Sequence, residues 1–277
     1  MSTIVGLGQA GCQIAEKFNQ YPQYNTICID IEDDGYTNFI KIAEQSSHED
    51  YEANYKKLKI KCDKEVSLIL AGTGKITGCS LRLLEQLKSK KVSIYYIKAD
   101  QNDLDEKGKL RERATFFILQ EYARSGAFEK ICLIDNKKVE EILEGLSVLN
   151  YWDRINETIC STIHMLNWFK NTKPVMKNFI STVQPAKIST IGILDMDKDK
   201  ETLFYDLTSP RHKCYYYAIS NKSLEEDGSL LGTIKKLTRE RLEDKCSSNY
   251  GIFSTDWGEN YCYVEQYASM IQEINLP

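Results

Sequence analysis

The chain has 277 residues, with 36 Lys or Arg and 40 Asp or Glu, so its formal net charge is -4. Hydrophobic residues make up 42% and charged residues 27%, an ordinary globular composition that excludes fibrous repeats and general disorder. The weak negative balance argues against direct nucleic-acid binding, which requires a basic face. No apolar run approaches the ~20 residues of a membrane span, so no membrane partner is expected.

The first half of the chain alternates short apolar runs with segments of helical spacing. Strands are predicted at residues 3–7, 26–30, 66–70, 92–98 and 130–134, and helices at 12–18, 81–88 and 110–124. Such alternation indicates βαβ units and a parallel sheet with helices on both faces. The ligand site of such a sheet is expected at the carboxyl ends of its strands.

The second half has a different pattern. Residues 151–169 predict a long amphipathic helix, because Ile155, Ile159 and Ile163 recur at helical steps. A basic loop follows. Strands are then predicted at 188–194, 214–219, 250–254 and 261–267, with a charged helix at about 232–246. We therefore expect a nucleotide-binding domain at 1–150, a central helix and its loop at 151–184, and a smaller α+β domain at 185–277.

The cysteines indicate neither a disulfide framework nor a metal site. Nine are scattered from Cys12 to Cys262, an odd number, and no pair has CxxC spacing. The N-terminus has no basic segment before its apolar stretch, so it does not have the pattern of a signal peptide. We therefore expect a reducing, cytoplasmic location and no metal site.

Two glycine-containing loops each lie between a predicted strand and a predicted helix. Residues 6–11 read GLGQAG, and residues 71–80 read AGTGKITGCS. Such loops let the backbone approach a phosphate closely, while the helix N-terminus offers N–H groups to an anion. Asp30 lies about 20 residues beyond the first loop, where a dinucleotide-binding fold places its ribose acid. A NAD-dependent enzyme is therefore one open alternative, and a tight turn that binds nothing is another.

Four motifs, in order, resemble those of tubulin, FtsZ and their bacterial and phage relatives. Residues 8–14 (GQAGCQI) resemble the phosphate loop GQxGxQI, and residues 71–78 (AGTGKITG) resemble a degraded AGxGGGTGTG signature. Asn136, which ends CLIDN, and Asn156, on the long helix, are similar in position to two asparagines that read guanine. An Asn amide has both a donor and an acceptor, which suits the edge of that base.

The resemblance implies a tubulin/FtsZ-like α/β fold that binds GTP or GDP, with Mg²⁺ held through the phosphates. The phosphate-binding residues that it implies are Gly8, Gln9, Ala10, Gly11, Cys12, Gln13, Gly72, Thr73, Gly74, Lys75, Thr77 and Gly78. It also implies that Glu106 and Arg111 flank the ribose. The implied assembly is a head-to-tail homopolymer. Size and motif divergence are most like phage or plasmid members that position DNA, through a DNA-binding adaptor or a second tubulin-like subunit.

The sequence departs from the family where a catalytic carboxylate is expected. In the family, the loop after the central helix enters the neighbouring subunit's site with an acid that positions the attacking water. Residues 158–194 contain no Asp or Glu, and Asn178 stands at about the expected position. An asparagine cannot accept the proton of water, so we predict slow or absent GTP hydrolysis. Asp195 and Asp197 are the alternative acids if the loop is aligned differently.

The second glycine loop departs as well. Lys75, Ile76 and Ser80 replace glycines of the family signature, and side chains there limit how closely N–H groups reach a phosphate. Lys75 would compensate in part as a charge on the phosphate. These losses favour a further alternative, a nucleotide-independent relative that caps filaments or associates with them.

Overall fold

The computed structural model describes residues 1–143, 145–178, 186–241 and 246–273 of the chain. They form two compact units: Met1–Cys160 with the C-terminal segment from Ile271, and Ser161–Met270. Gln120 joins that C-terminal segment to the first unit, since its amide accepts from the Gln272 N–H and donates to the Gln272 carbonyl. The functional division at 1–150, 151–184 and 185–277 stays a prediction.

The first unit is built on six parallel strands. Their sheet order is β3-β2-β1-β4-β5-β6, with every neighbouring pair parallel. The strands are β1 (Ser2–Leu7), β2 (Tyr24–Asp30), β3 (Phe39–Lys41), β4 (Glu65–Ala71), β5 (Lys91–Lys98) and β6 (Lys130–Asp135). The helices are α1 (Gly8–Lys17), α2 (His48–Asn54), α3 (Ser80–Gln86), α4 (Glu106–Arg124), α5 (Asn136–Glu140) and α6 (Tyr151–Asn171), which continues into the second unit.

Near-continuous apolar runs explain why these strands form a parallel sheet. Ile4, Leu68 and Ile94 are fully buried, and so are most of their strand neighbours, as expected where helices cover both faces. Helix α4 begins four residues before the predicted helix and ends where predicted, and α6 begins where predicted and ends two residues later. The predicted α/β class and alternation are therefore confirmed, and the carboxyl ends of β1, β4, β5 and β6 lie along one edge.

The second unit contains an antiparallel sheet with one parallel pair. The strands are β7 (Met176–Lys177), β8 (Ile188–Asp195), β9 (Lys200–Leu203), β10 (Pro210–Ser220), β11 (Ser247–Thr255) and β12 (Tyr261–Ala268), and the helices are α7 (Asn221–Glu226) and α8 (Leu230–Glu240). The order is β8-β12-β10-β11-β7, with β9 paired to β8, and only the β10–β11 pair is parallel among these described strands.

Three consecutive tyrosines on β10 divide between the two faces of this sheet. Tyr215 and Tyr217 belong to the buried cluster that contains Ile234 of α8. Tyr216 stacks on Phe169 with ring centroids 5.5 Å apart. All three are core residues, because alternate side chains of a strand point to opposite faces and both faces are covered here.

One predicted boundary is wrong. The charged helix expected at about 232–246 ends at Glu240, and Cys246 directly precedes β11. Arg241 is the C-cap residue of α8, and its guanidinium donates to the Leu237 carbonyl, one of the acceptors left open at a helix end. Residues 242–245 of that prediction, and 179–184 of the predicted loop, lie outside the described residues.

Several short elements carry no periodic signal and were not predicted, among them β3, α2, α5, α7, β7 and β9. Each is too short for a pattern of period two or 3.6 to emerge. Within the described parts of the chain, none of the helices has the length and apolar character that crossing a membrane requires.

Candidate functional site

The first glycine loop joins β1 directly to α1. Gly8 has φ +72°, a left-handed conformation that a side chain would strain, and it is the first residue of the helix. A Cβ on Gly11 would overlap the carbonyl oxygen of Ile69 on β4, so a glycine there lets α1 pack closely on the sheet. Among the described residues no side chain caps α1, and its first turn, in which Gln9 is exposed and Ala10 is half-buried, contains no acid.

Cys12 lies in this loop motif, but its thiol points into the protein. The residue is fully buried, and its Sγ contacts the carbonyls of Gly6 and Ile29 at 3.5 and 3.6 Å. A phosphate at the start of α1 would therefore meet the backbone of Cys12, never its side chain.

The second glycine loop runs from β4 through a short 3₁₀ turn, Lys75–Cys79, into α3. Gly72 lies against the Tyr96 hydroxyl, and Gly78 lies against the His48 carbonyl, leaving no room for a Cβ at either position. Thr77 is 1% exposed, and its hydroxyl donates to the Gly74 carbonyl at 2.7 Å, so it holds the loop closed. Lys75 is exposed to solvent.

The two loops meet through Ile76. A Cβ placed on Gly8 would be 2.9 Å from Cγ2 of Ile76, whose side chain is only 8% exposed. The loops are therefore adjacent, as expected for the ends of the neighbouring parallel strands β1 and β4. Ile76 also occupies space next to the glycine that opens α1, where the family signature has no side chain.

Arg111 of α4 contacts the second loop. Its Nε donates to the Thr73 carbonyl at 2.9 Å, which places a guanidinium beside the backbone of this loop. Glu106, in the first turn of the same helix, is exposed and pairs with Lys109 at 3.5 Å. The structure thus brings one of the two predicted ribose residues to a glycine loop and leaves the other in solvent.

Asn156 of α6 contacts α1. It is 8% exposed, and its Nδ2 donates to Oε1 of Gln13 at 3.4 Å. The start of the long helix and the first glycine loop are therefore linked by two predicted nucleotide-binding side chains, although these are 143 residues apart in the chain.

Asn136 is the first residue of α5, directly after β6. Its Oδ1 is buried and has no hydrogen-bond partner in the part of the chain that the structure describes. A buried acceptor without a donor costs roughly 1–3 kcal/mol of stability. A bound N–H donor at this strand end would remove that cost.

Charged residues that the sequence analysis did not single out also lie at this edge. Lys98 ends β5 and pairs with Asp135 at the end of β6 at 2.9 Å, both side chains being at most 15% exposed. Asp135 also caps α5, accepting from the Lys137 N–H at 3.0 Å. Asp100 pairs with Lys137 at 2.6 Å, and the hydrogen bond from this lysine lowers the pKa of the Asp100 carboxyl.

Glu112 is a buried carboxylate that no sequence signal revealed. It lies in the charge-rich helix α4, yet it is 0% exposed. Its Oε1 accepts from the Ala99 N–H at 3.1 Å, and its other oxygen accepts from the Gln101 amide. Burial raises the pKa of this carboxyl despite those hydrogen bonds. Glu112 therefore fixes the loop after β5, which is a structural role.

His48 begins α2 and lies beside the second loop. Its Nε2 is 3.4 Å from the Thr115 hydroxyl, and its carbonyl packs against Gly78. Burial lowers the pKa of its imidazole, and the positive charge of Arg111 acts in the same direction. No cluster of three His, Cys, Asp or Glu side chains that could hold a metal ion occurs in the described ranges.

Asn178 lies in the second unit, just after β7. Its Oδ1 accepts from the Tyr250 N–H at 2.7 Å, and its own N–H donates to the Tyr250 carbonyl at 3.1 Å. Its amide oxygen thus extends the pairing of β7 with β11. The alternative acid Asp195 accepts from the backbone of Asp197 and Lys198 at 3.1 and 2.9 Å, which closes the turn between β8 and β9.

The parallel sheet, the two glycine loops, the long helix and the second β-rich unit together are a tubulin/FtsZ-like fold. Comparison with solved structures identifies this class. A GTPγS-form protofilament of TubZ from Bacillus thuringiensis serovar israelensis is 16% identical over 96% of this chain and 86% of that chain, with a TM-score of 0.71. GTPγS-bound CetZ2 from Haloferax volcanii is 12% identical over 96% and 92%, with a TM-score of 0.69.

An empty FtsZ dimer from M. jannaschii is 13% identical over 96% of this chain and 87% of that chain, with a TM-score of 0.62. No protein-family model matches the chain, and no curated protein has a significant match. At these identities the comparisons establish the fold.

Proposed function

We propose that this chain binds guanine nucleotides, assembles head to tail into filaments, and hydrolyses GTP slowly or not at all. The observation that carries the proposal is the convergence of the two glycine loops. Ile76 of one loop fills the space into which a side chain on Gly8 of the other would project, and Gln13 of α1 contacts Asn156 just after the first loop. A turn that only connects a strand to a helix does not require a second such turn against it.

The phosphates would lie against the uncapped N-terminus of α1 and the backbone of the second loop. Helix N-termini and consecutive backbone N–H groups favour anions. The contacts would come from residues 8–13 and 72–78, and the exposed Lys75 would add a positive charge beside the phosphates. Mg²⁺ would be held mainly by phosphate oxygens and water, the oxygen ligands that it prefers.

The base would lie near Asn136 and Asn156. The unpartnered Oδ1 of Asn136 fits an acceptor for the guanine imino or amino group. The Nδ2 of Asn156 donates to the Gln13 side-chain oxygen at 3.4 Å, a long contact that a nucleotide would replace at little cost. Glu106 and Arg111 remain the proposed ribose contacts.

Self-assembly is supported by the neighbours of similar fold, which include protofilaments of TubZ and CetZ2. A contact between two different surfaces of identical chains is heterologous and extends into filaments unless it closes into a ring.

Slow hydrolysis is supported by Asn178. Its amide oxygen accepts a hydrogen bond from the Tyr250 N–H and cannot take a proton from water.

Selective binding can be tested by thermal denaturation with GTP, ATP or NAD, because a ligand that binds only the folded state raises the melting temperature. We expect a shift with GTP alone. Asn136→Leu and Asn156→Leu should abolish it, whereas Asn171→Ala, at the exposed end of α6, should leave it intact. A shift with NAD alone would refute the proposal in favour of a NAD-dependent enzyme.

Assembly and hydrolysis need separate assays. We expect the protein to pellet at high speed with GTP and to release phosphate far more slowly than it assembles. Turnover at the rate typical of assembled FtsZ would contradict the role given to Asn178. If Asp195 supplied the acid instead, Asp195→Asn would lower that rate and Asn178→Ala would not.

One observation favours a nucleotide-independent relative that caps or accompanies filaments. Ile76 fills space beside Gly8 that the family signature leaves empty. In that case neither the wild-type protein nor Ile76→Gly would respond to any nucleotide, although both would bind preformed filaments.

The cellular role is a further proposal, supported by the similar fold of a type III plasmid segregation TubZ, 15% identical over 98% of this chain and 88% of that chain, TM-score 0.66. We propose a cytoplasmic filament that positions plasmid or phage DNA through a DNA-binding adaptor or a second tubulin-like subunit. With a net charge of -4, purified filaments alone should not co-pellet with DNA.

A further inference from the structure

The second unit contains an open pocket that the proposed function does not use. It has a volume of about 810 Å³ and lies at the carboxyl ends of β10 and β11, the parallel pair of this unit. Its lining includes Ser220, Ser223, Glu226, Thr255, Asp256 and Trp257. None of these residues belongs to the glycine loops or to the asparagine pair.

Side-chain hydrogen bonds fix the rim of this pocket. Asn221 donates to Oδ1 of Asp256 at 2.7 Å and accepts from the Ser254 hydroxyl, which ties the two strand ends together. On the other side, the hydroxyl of Ser220 donates to the hydroxyl of Ser223 at 2.9 Å. The pocket is therefore organised before any ligand arrives, so little side-chain ordering opposes binding.

Thr255 is the exception in this network. It is 6% exposed and lines the pocket, yet its Oγ1 is buried and has no hydrogen-bond partner in the described residues. The neighbouring hydroxyls of Ser220 and Ser254 both have partners. An unpartnered buried hydroxyl is unfavourable, and a ligand with an N–H donor would satisfy it.

The charges and the aromatic wall of the pocket favour a cation. Glu226, Asp227 and Asp256 line it against a single lysine, Lys222. Trp257 is 38% exposed and makes an edge contact with the Tyr261 ring at 5.7 Å. An indole face attracts ammonium and guanidinium groups. The carboxylates, the indole and the unpartnered hydroxyl oxygen therefore suit the same ligand group.

We propose that this pocket binds a cationic N–H donor, an alkylammonium or guanidinium group, which donates to the Thr255 hydroxyl, pairs with the carboxylates and contacts Trp257. Two sources carry this chemistry, a Lys or Arg side chain of a partner protein and a free polyamine. Because all lining residues lie in the second unit, binding should not depend on a guanine nucleotide.

The experiment follows the indole N–H signals of the three tryptophans by NMR on the full chain, with Trp257 assigned through Trp257→Phe. The probes are N-acetyl-lysine-N-methylamide, the neutral N-acetyl-norleucine-N-methylamide and spermidine. The variants are Thr255→Val and Glu226→Gln, and the matched control is Glu225→Gln on the same helix, outside the pocket lining.

We expect the lysine probe, and not the norleucine probe, to shift the Trp257 signal to saturation. Thr255→Val and Glu226→Gln should each weaken binding about threefold or more, and Glu225→Gln should not. Spermidine that binds at least about tenfold tighter than the lysine probe would identify a polyamine as the source, and weaker or equal binding would identify a protein side chain. Equal shifts with norleucine, no shift with either cation, or unchanged affinity in both pocket variants would overturn the proposal.

Discussion

Replacement of Ile76 by Ala should lower the stability of the free protein and strengthen its response to GTP. Ile76 is 8% exposed, and its Cγ2 lies beside Gly8 at the start of α1. Truncation of a buried isoleucine to alanine costs about 2–5 kcal/mol, and we expect the lower end, about 2 kcal/mol, because the residue lies in a short 3₁₀ turn next to the exposed Lys75.

The same truncation should let a phosphate approach the N–H groups of α1 more closely. One regained hydrogen bond to a charged group contributes about 1.5 kcal/mol, which corresponds to about tenfold in affinity. At a fixed GTP concentration well above its Kd, the stabilisation by the nucleotide should therefore be about 1.4 kcal/mol larger in Ile76→Ala than in the wild-type protein.

The assay is denaturant unfolding with and without GTP, and the control is Ile94→Ala, which truncates a fully buried side chain in the middle of β5. Both variants should lose stability without nucleotide, but only Ile76→Ala should gain a larger GTP effect. If GTP stabilised the wild-type protein and both variants equally, Ile76 would not limit the approach of the phosphates, and the reasoning from its contact with Gly8 would be wrong.

Three further predictions concern stability. Gly11→Ala should cost about 3 kcal/mol, because the new Cβ overlaps a backbone carbonyl of β4, while Gly232→Ala, in open space within α8, should stabilise by about 0.5–1 kcal/mol in thermal denaturation. Thr255→Val should leave stability unchanged or raise it by up to about 1 kcal/mol because it removes an unpartnered hydroxyl, while Thr238→Val should lower it by about 1 kcal/mol because that hydroxyl is bonded twice. His48→Asn should reduce the amount of stability that is lost on acidification below about pH 6.5. Burial lowers the pKa of His48, so its contribution is fully present above the ordinary imidazole pKa of about 6.5 and is lost as the pH falls below it.

Each of these predictions has a contrary result. A Gly11→Ala protein as stable as the wild type would show that α1 does not pack on β4 as described. Loss of stability in Thr255→Val equal to that in Thr238→Val would mean that the Thr255 hydroxyl has a partner. An unchanged pH profile in His48→Asn would show that this imidazole titrates equally in the folded and unfolded chains.

Most strands and long helices were predictable because their signals are local. The apolar runs of β1, β4, β5 and β6 and the helical spacing of α6 are properties of neighbouring residues, and the structure confirms them. The end of α8 was predicted too late because charged residues continue beyond Glu240 without any change in helical propensity. The short elements α2 and α5 gave no pattern at all.

The same distinction applies to the candidate site, since only some of its residues have a signal in the sequence. The two glycine loops were identified from their position between a strand and a helix, and the asparagines at 136 and 156 from the resemblance to tubulin and FtsZ. Their nucleotide contacts remain predictions. The hydrogen bond from Arg111 to the Thr73 carbonyl could not be predicted from the sequence, since the two residues are 38 positions apart. The burial of Glu112 within a charged helix was not visible either.

The sequence by itself determined where strands give way to helices and where glycines allow a tight loop between them, because these features depend on adjacent residues. Only the tertiary structure decided that Ile76 would lie against Gly8, that the Asn178 amide would be used by Tyr250, and that the Thr255 hydroxyl would be buried without a partner. Such contacts join segments distant in the chain, and their energies depend on distances and exclusion of water that no local pattern records.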